Sequence, residues 1–251
     1  MSVIDFYGPE GWETEGKAEE LDRQRVAREQ IARLVARRWG DALTIVDAGC
    51  GDGTFLDRLA KSLDRPGTSY LGLDYSAHQI AKAKLLPYEF HQCDLGVGMP
   101  LPAESVDIVH AAEVIEHLVN PDLLLTEATR VLRPGGQIVI TTPNLHAWYN
   151  RLIFLAGVQP VFHETSTRST RVGAGPLARL KADTRPVGHL RLFNRTALVD
   201  LLRLSGLEPV RILGARFHGV PRGARWIDGL ARARPTLASC LVAVARKPES
   251  H

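Results

Sequence analysis

The chain has 251 residues, 45% hydrophobic and 24% charged, which is enough to bury one full α/β core and leaves no sign of a disordered or fibrous composition. The apolar runs around Leu152 to Val158 and Leu237 to Ala245 are too short to span a bilayer, and the acidic start from Met1 to Gly16 lacks the pattern of a signal peptide. Cys50, Cys93 and Cys240 have neither disulfide nor zinc spacing, so stable membrane insertion is not expected and the cytoplasm is the expected compartment.

Apolar positions Leu21, Val26, Ile31, Leu34 and Val35 among charges predict an amphipathic helix over Lys17 to Trp39, stopped by Gly40. A strand over Thr44 to Ala48 then runs into Gly49-Cys50-Gly51-Asp52-Gly53, and a helix is expected from Thr54 to about Leu63. The next apolar strand ends at Asp74, and Ser76 can cap a helix running to about Leu86. Short strands near Glu89 to Cys93 and Val106 to Ala111 flank a loop over Gly96 to Pro102. Asn120-Pro121 opens a helix to about Leu132, Pro134-Gly135-Gly136 breaks the chain, and Gln137 to Thr142 is a further strand. Alternating strands and helices imply a parallel sheet covered on both faces.

After Asn144 the pattern weakens. Trp148 to Ala156 reads as a helix, but Gly157 to Gly188 mixes Gly, Pro, Ser, Thr and Arg with no steady period, as a lid or binding loop does. Thr196 to Leu204 is another helix, and strands over Glu208 to Ala215 and Ser239 to Arg246 bracket a helix near Trp226 to Arg232. The expected division is one domain: a helical cap over 1–40, a core over 41–145, a lid over 146–195 and closing elements over 196–251.

Glycines at 49, 51 and 53 let backbone come close to a ligand, and Asp74, about 20 residues on at a strand end, is placed to hold ribose hydroxyls. Together they indicate a nucleoside cofactor. The spacing is Gly-x-Gly-x-Gly rather than the Gly-x-Gly-x-x-Gly of dinucleotide sites, and no Lys-Ser or Lys-Thr follows for a triphosphate.

Five motifs occur in series: Val46-Asp47-Ala48-Gly49-Cys50-Gly51-Asp52-Gly53, Leu71-Gly72-Leu73-Asp74-Tyr75-Ser76, Cys93-Asp94-Leu95, Val106-Asp107-Ile108-Val109 with Glu113-Val114-Ile115-Glu116-His117-Leu118, and Leu132-Arg133-Pro134-Gly135-Gly136. In this order the chain resembles the class I S-adenosylmethionine-dependent methyltransferases. The resemblance implies a Rossmann-like, doubly wound seven-stranded sheet, mostly parallel with the last strand antiparallel, and a loop and helix lid. It also implies S-adenosyl-L-methionine as cofactor, held by Asp74 at the ribose and by Cys93, Asp94 and Leu95 at the adenine. Gly49, Gly51 and Ala112 would line the methionine portion, with Cys50 and Tyr75 adjoining. Asp47 would belong to the same site or orient the glycine turn.

If residues 113–117 turn helically, Glu113, Glu116 and His117 share one face just past the fourth strand. The ubiquinone-biosynthesis O-methyltransferases and the small-RNA 3′-terminal 2′-O-methyltransferases make a divalent-metal site of a similar cluster. Here His189, in His189-Leu190-Arg191-Leu192-Phe193, occupies the place of the later histidine. The resemblance implies Glu113, Glu116, His117 and His189 as ligands for magnesium, manganese, iron or zinc. The alternative is His117 or His189 as an unassisted base beside Glu116. His146 and His163 are further candidates, whereas His91, His110 and His218 carry no spacing signal.

Charge is asymmetric: residues 1–150 hold 14 Lys+Arg against 22 Asp+Glu, and residues 151–251 hold 17 against 6. Arg168, Arg171, Arg179, Lys181, Arg185, Arg191 and Arg195 face one acid, Asp183, so the lid is either a solvated surface or a rim attracting an anionic acceptor. The acceptors left open are a small polar metabolite methylated on a hydroxyl, or RNA. A cofactor-binding regulatory protein without turnover is the third reading. Oligomeric state is not legible.

Overall fold

The computed structural model describes residues 20–37, 42–180 and 186–249. Lys17 and Trp39 at the ends of the expected first helix, and Lys181, Asp183 and Arg185 of the lid, lie outside the described residues. In chain order the elements are α1 (Asp22–Ala36), β1 (Thr44–Ala48), α2 (Thr54–Leu63), β2 (Ser69–Asp74), α3 (Ala77–Ala83) and β3 (Glu89–Gln92). They continue with β4 (Val106–Ala112), α4 (Pro121–Val131), β5 (Leu132–Pro143), α5 (Trp148–Leu155), α6 (Arg195–Leu204), β6 (Glu208–Ala215), α7 (Arg225–Ala231) and β7 (Cys240–Arg246). Short 3₁₀ turns cover Ile115–His117, Gly175–Leu180 and Arg222–Ala224.

The strands form one seven-stranded sheet in the order β3-β2-β1-β4-β5-β7-β6. β1 pairs in parallel with β2 and β4, β2 with β3, and β4 with β5, while β7 is antiparallel to both neighbours. This is the Rossmann-like α/β architecture that the motif order implies.

Side-chain alternation along the strands fills two cores. Val139 of β5 faces Val26, Ala27, Ile31 and Val35 of α1, with Ile45, Ile108, Val242 and Val244 beside it. Ile138 and Ile140 point the other way, into a cluster with Leu124, Leu125 and Ala128 of α4 and Leu198 and Leu202 of α6. Helix starts are held by side chains: Ser76 accepts from Gln79 N, Asn120 from Leu123 N and Asn194 from Ala197 N.

One expectation fails. Pro134-Gly135-Gly136 does not separate a helix from a later strand, because β5 begins at Leu132. The register jumps from Val106↔Leu132 to Ile108↔Gln137, so residues 133–136 form a bulge inside the strand. Gly135 supplies the positive φ of 75° and donates to Lys247 O at 3.0 Å. β5 is an interior strand between β4 and β7, and the bulge is what accommodates Pro and Gly there where a regular ladder would not.

Candidate active site

The sheet's carboxyl ends place the candidate residues at one edge. Gly49 N and Cys50 N both donate to Leu73 O, which locks the turn after β1 against the end of β2. Gly49, Gly51 and Gly53 have φ of 87°, 54° and 79°. These glycines do different work. A Cβ on Gly49 would lie 2.3 Å from Val114 Cγ2, so that position is closed by packing against the segment after β4. A Cβ on Gly51 would meet nothing within 4 Å, leaving an open cradle beside Asp74. Asp74 Oδ2 accepts from Gly51 N and Oδ1 from Ser76 N, each at 2.9 Å. Burial raises its pKa, partly offset by those two backbone donors. Asp94 Oδ1 accepts from Gly96 N at 2.8 Å, Cys93 N donates to Asp74 O, Leu95 is buried, and the Tyr75 carbonyl accepts from Gln92 Nε2. Burial pushes the Cys93 thiol up to about 11 and the Cys50 thiol higher still.

Asp47 points into the sheet. Its Oδ1 contacts His110 Nδ1 at 2.7 Å, both side chains are buried, and the His110 ring stacks on Phe55 at 4.1 Å. The register Asp47↔His110 makes this a cross-strand pair beneath the glycine turn. His110 carried no spacing signal because its partner lies 63 residues away.

Beyond Ala112 the chain makes a single 3₁₀ turn instead of the longer helical stretch that would align all three acidic and imidazole groups. Glu113 takes a positive φ of 55° and turns toward Thr141 Oγ1 (2.9 Å) and Arg23 Nε (3.3 Å). Glu116 is fully buried, with Oε2 accepting from Thr142 Oγ1 at 3.1 Å. The structure thus brings together three of the four expected ligands. One atom each from Glu116, His117 and His189 lies within 4.8 Å of the others, and Glu113 stands apart with Arg23.

The segment between α5 and α6 delivers His189. Leu190 N and Arg191 N both donate to Glu116 O, and Leu145 N to Phe193 O, so the returning segment is sewn to the site. The His117 and His189 rings stack at 4.9 Å, and Phe162 packs edge-on to His189 at 5.4 Å. Phe162 takes a φ of 73°, an unusual conformation for an aromatic residue, and its other neighbour is Phe217. Asp228 anchors that side by accepting from Phe217 N, Trp148 Nε1 and Ser239 Oγ.

Burial sets the electrostatics. It raises Glu116 well above the carboxylate range, with Glu113 adding to the shift. It lowers His117, and lowers His189 to about 3 with His117 contributing. His117 Nδ1 lies 3.2 Å from Gly188 O, and a carbonyl only accepts, so Nδ1 carries the proton and the basic lone pair sits on Nε2. Two buried polar atoms of the cluster, Glu116 Oε1 and His189 Nδ1, have no hydrogen-bond partner among the described residues. His189 Nδ1 is 3.9 Å from Glu164 Oε2, beyond hydrogen-bond reach.

Four residues that pattern did not single out belong here. Arg23 reaches in from α1, its side chain 16% exposed, with Glu113 its partner among the described residues. Glu164 holds the lid, and it is the lone acid between Arg151 and Lys181, a signal that was readable. Thr141 and Thr142 orient the two glutamates. Of the second-rank histidines, His146 donates its backbone N–H to Asn144, and His163 contacts Gln159 at the surface. A cavity of about 260 Å³ lined by Gln30, Arg33, Arg37, Gln137 and Arg211 lies where β7 ends at Arg246, away from this edge.

A sheet of this order with a glycine cradle and an acid at adjacent carboxyl ends defines a nucleoside-binding α/β protein. The methyltransferase-domain family model matches residues 20–212, and the chain belongs to that family. It is 32% identical over 211 residues to a Mycolicibacterium smegmatis protein described as a probable S-adenosylmethionine-dependent methyltransferase, covering 81% of this chain and 66% of that one. It is 33% identical over 150 residues to the ubiquinone biosynthesis O-methyltransferase of Nitrobacter winogradskyi (54% of this chain, 56% of that one). Trans-aconitate 2-methyltransferase of an Azoarcus species is 32% identical over 171 residues (67% and 58%). The matched region therefore spans less than two thirds of these relatives' own lengths. Among solved structures, a Methanosarcina mazei S-adenosylmethionine-dependent methyltransferase superposes with a TM-score of 0.58 at 19% identity, covering 86% of this chain and 98% of that one. The [4+2]-cyclase SpnF gives 0.58 at 20% identity (94% and 86%), so the same fold carries a different named activity. No helix among the described residues is long and apolar enough to cross a membrane.

Proposed function

We propose that this enzyme methylates a hydroxyl oxygen of a small polar or anionic acceptor at the edge where Gly51, Asp74, His117, Glu116 and His189 converge. The observation that carries this reading is the pair of orphaned buried atoms, Glu116 Oε1 and His189 Nδ1, in a cluster with His117. Buried polar atoms without partners are expected to meet an incoming group. Two imidazoles and a carboxylate also fit a divalent cation, which Glu116, His117 and His189 would hold. When bound, S-adenosyl-L-methionine supplies an activated methyl carbon and a divalent ion lowers the pKa of a coordinated hydroxyl.

The chain's own residues do the rest. The open face of Gly51 admits the cofactor backbone, and Asp74 grips the ribose while its carboxylate keeps the turn in place. Asp94, Cys93 and Leu95 line the adenine, and Ala112 the methionine chain. Arg23, buried and charged beside Glu113, offers its remaining N–H groups to the methionine carboxylate. In a site without a cation, His117, neutral at pH 7, receives the acceptor's hydroxyl proton at Nε2; the same lone pair is the one it would give a cation, so the two roles are alternatives. The stacked lid rings keep water from the reacting atoms. The name of the Azoarcus relative favours a carboxylate-bearing acceptor, and that of the Nitrobacter relative favours oxygen as the methylated atom.

The test is transfer of a labelled methyl group to paired catechols, hydroxy acids and polycarboxylates, with and without chelator and with His117→Ala. The reading expects product on oxygen, loss of turnover in His117→Ala, and unchanged affinity for S-adenosylhomocysteine. Retained turnover in His117→Ala removes the histidine from the mechanism, and indifference to chelator leaves a base-only site. RNA is the second reading, favoured by the exposed Arg168, Arg171 and Arg179 of the lid. A steep salt dependence of binding to single-stranded RNA would support it. Cofactor binding with no transfer to any acceptor would support a regulatory role.

A further inference from the structure

Glu164 lies outside the cofactor and acceptor sets, yet among the described residues between α5 and α6 its carboxylate accepts the most hydrogen bonds. Oε1 accepts from Val187 N at 2.8 Å, and Oε2 from Gly188 N at 2.7 Å and His189 N at 2.9 Å. Three successive N–H groups facing one way form an anion-binding nest, made possible here by the φ of 81° at Gly188. The chain fills that nest with its own acid, whose side chain is 10% exposed.

The peptide joining Gly188 to His189 has two sides. Its N–H donates to Glu164 Oε2, and its C=O accepts from His117 Nδ1. Carboxylate, peptide plane and imidazole are therefore in series. A charged acceptor on the N–H polarises the peptide and strengthens the carbonyl as an acceptor. The same turn sets the backbone from which the His189 ring stacks on His117.

We propose that Glu164 is the positioning residue of the site: through one peptide plane it fixes the proton of His117 on Nδ1, and through the turn it holds His189 over His117. It never touches the acceptor. The proposal rests on the reading of Glu116, His117 and His189 as the acceptor-activating cluster, and it makes a residue 25 positions before His189 responsible for their geometry.

The test uses the full-length protein saturated with S-adenosylhomocysteine at one fixed pH. Amide hydrogen exchange reads the nest, imidazole nitrogen NMR reads the His117 tautomer, and cobalt(II) alone, followed by its visible spectrum, reads the cluster. In the native protein His117 should show one tautomer with the proton on Nδ1, and amides 187–189 should be protected. Glu164→Ala should speed exchange of those three amides at least tenfold and scramble the His117 tautomer. Val139 protection and S-adenosylhomocysteine affinity should stay within threefold. Glu164→Gln keeps one accepting oxygen and should fall between. A protected nest in Glu164→Ala, an unchanged His117 tautomer there, or an Nε2 proton in the native protein would each overturn the proposal. If cobalt fails to bind the native protein while exchange and tautomer respond as expected, the metal option fails and Glu164 keeps its role.

Discussion

Gly49 and Gly51 sit two residues apart in the same turn, yet alanine should fail at each for a different reason. Gly49→Ala places a methyl 2.3 Å from Val114 Cγ2 at a φ of 87°. Overpacking costs about 1–3 kcal/mol and left-handed backbone roughly 1–2 kcal/mol. Lower entropy of the unfolded chain returns about 0.4–1 kcal/mol, for a net loss of roughly 1–5 kcal/mol. Gly51→Ala meets no atom within 4 Å, so only the strain term applies, and it nearly cancels to about 1 kcal/mol or less. Its methyl instead occupies the cradle and should weaken cofactor binding about ten- to a hundredfold, equivalent to the overpacking term. Urea denaturation and calorimetric titration with S-adenosylhomocysteine separate the two effects. Val114→Ala in the Gly49→Ala background should recover the clash component and leave the backbone component. Native cofactor affinity in Gly51→Ala would refute the reasoning, as would stability losses of equal size in both variants.

Arg23→Met should weaken S-adenosylhomocysteine binding at least tenfold while leaving adenosine binding nearly unchanged, measured by calorimetry with both ligands; equal losses would place Arg23 away from the methionine carboxylate. Asp47→Leu should lower stability by about 1–3 kcal/mol in chemical denaturation, because it leaves His110 Nδ1 buried without its partner, and cofactor affinity should fall less than in Gly51→Ala. For metal-free protein, the lowered His117 and His189 values mean their stabilisation is complete above the unfolded value of 6.5 and is lost as pH falls through the folded values, about 3 for His189. For His189 each pH unit between 6.5 and about 3 then costs about 1.4 kcal/mol, so His189→Phe should flatten the fall in stability between pH 7.5 and 5 by roughly 2 kcal/mol. Glu116 acts with the opposite sign: its raised value makes stability fall as pH climbs above 4.5, and Glu116→Gln should remove that trend.

The strands and helices around the cofactor edge were readable because each carries a local signal. Ser76 and Asn120 cap, Gly51 and Gly53 turn, and β1 and β4 are short apolar runs. The bulge at Pro134 to Gly136 was misread because a proline and two glycines look like a break when no partner strand is visible. The candidate metal cluster was half legible. Glu116 and His117 are adjacent and His189 followed from the resemblance, but Glu113 was grouped with them on an assumed helix. A positive φ at Glu113, fixed by its contacts with Thr141 and Arg23, sends that carboxylate elsewhere. Asp47–His110 and Glu164 with its nest depend on partners 63 and 23–25 residues away, a distance over which sequence periodicity carries no information.

Calorimetric titration of S-adenosylhomocysteine into the native protein and into Asp74→Ala bears most directly on the cofactor cradle. One saturable site in the native protein, lost or weakened by more than tenfold in the variant, is the predicted result. Equal binding by both proteins, or heat with a nicotinamide dinucleotide and none with S-adenosylhomocysteine, would contradict it.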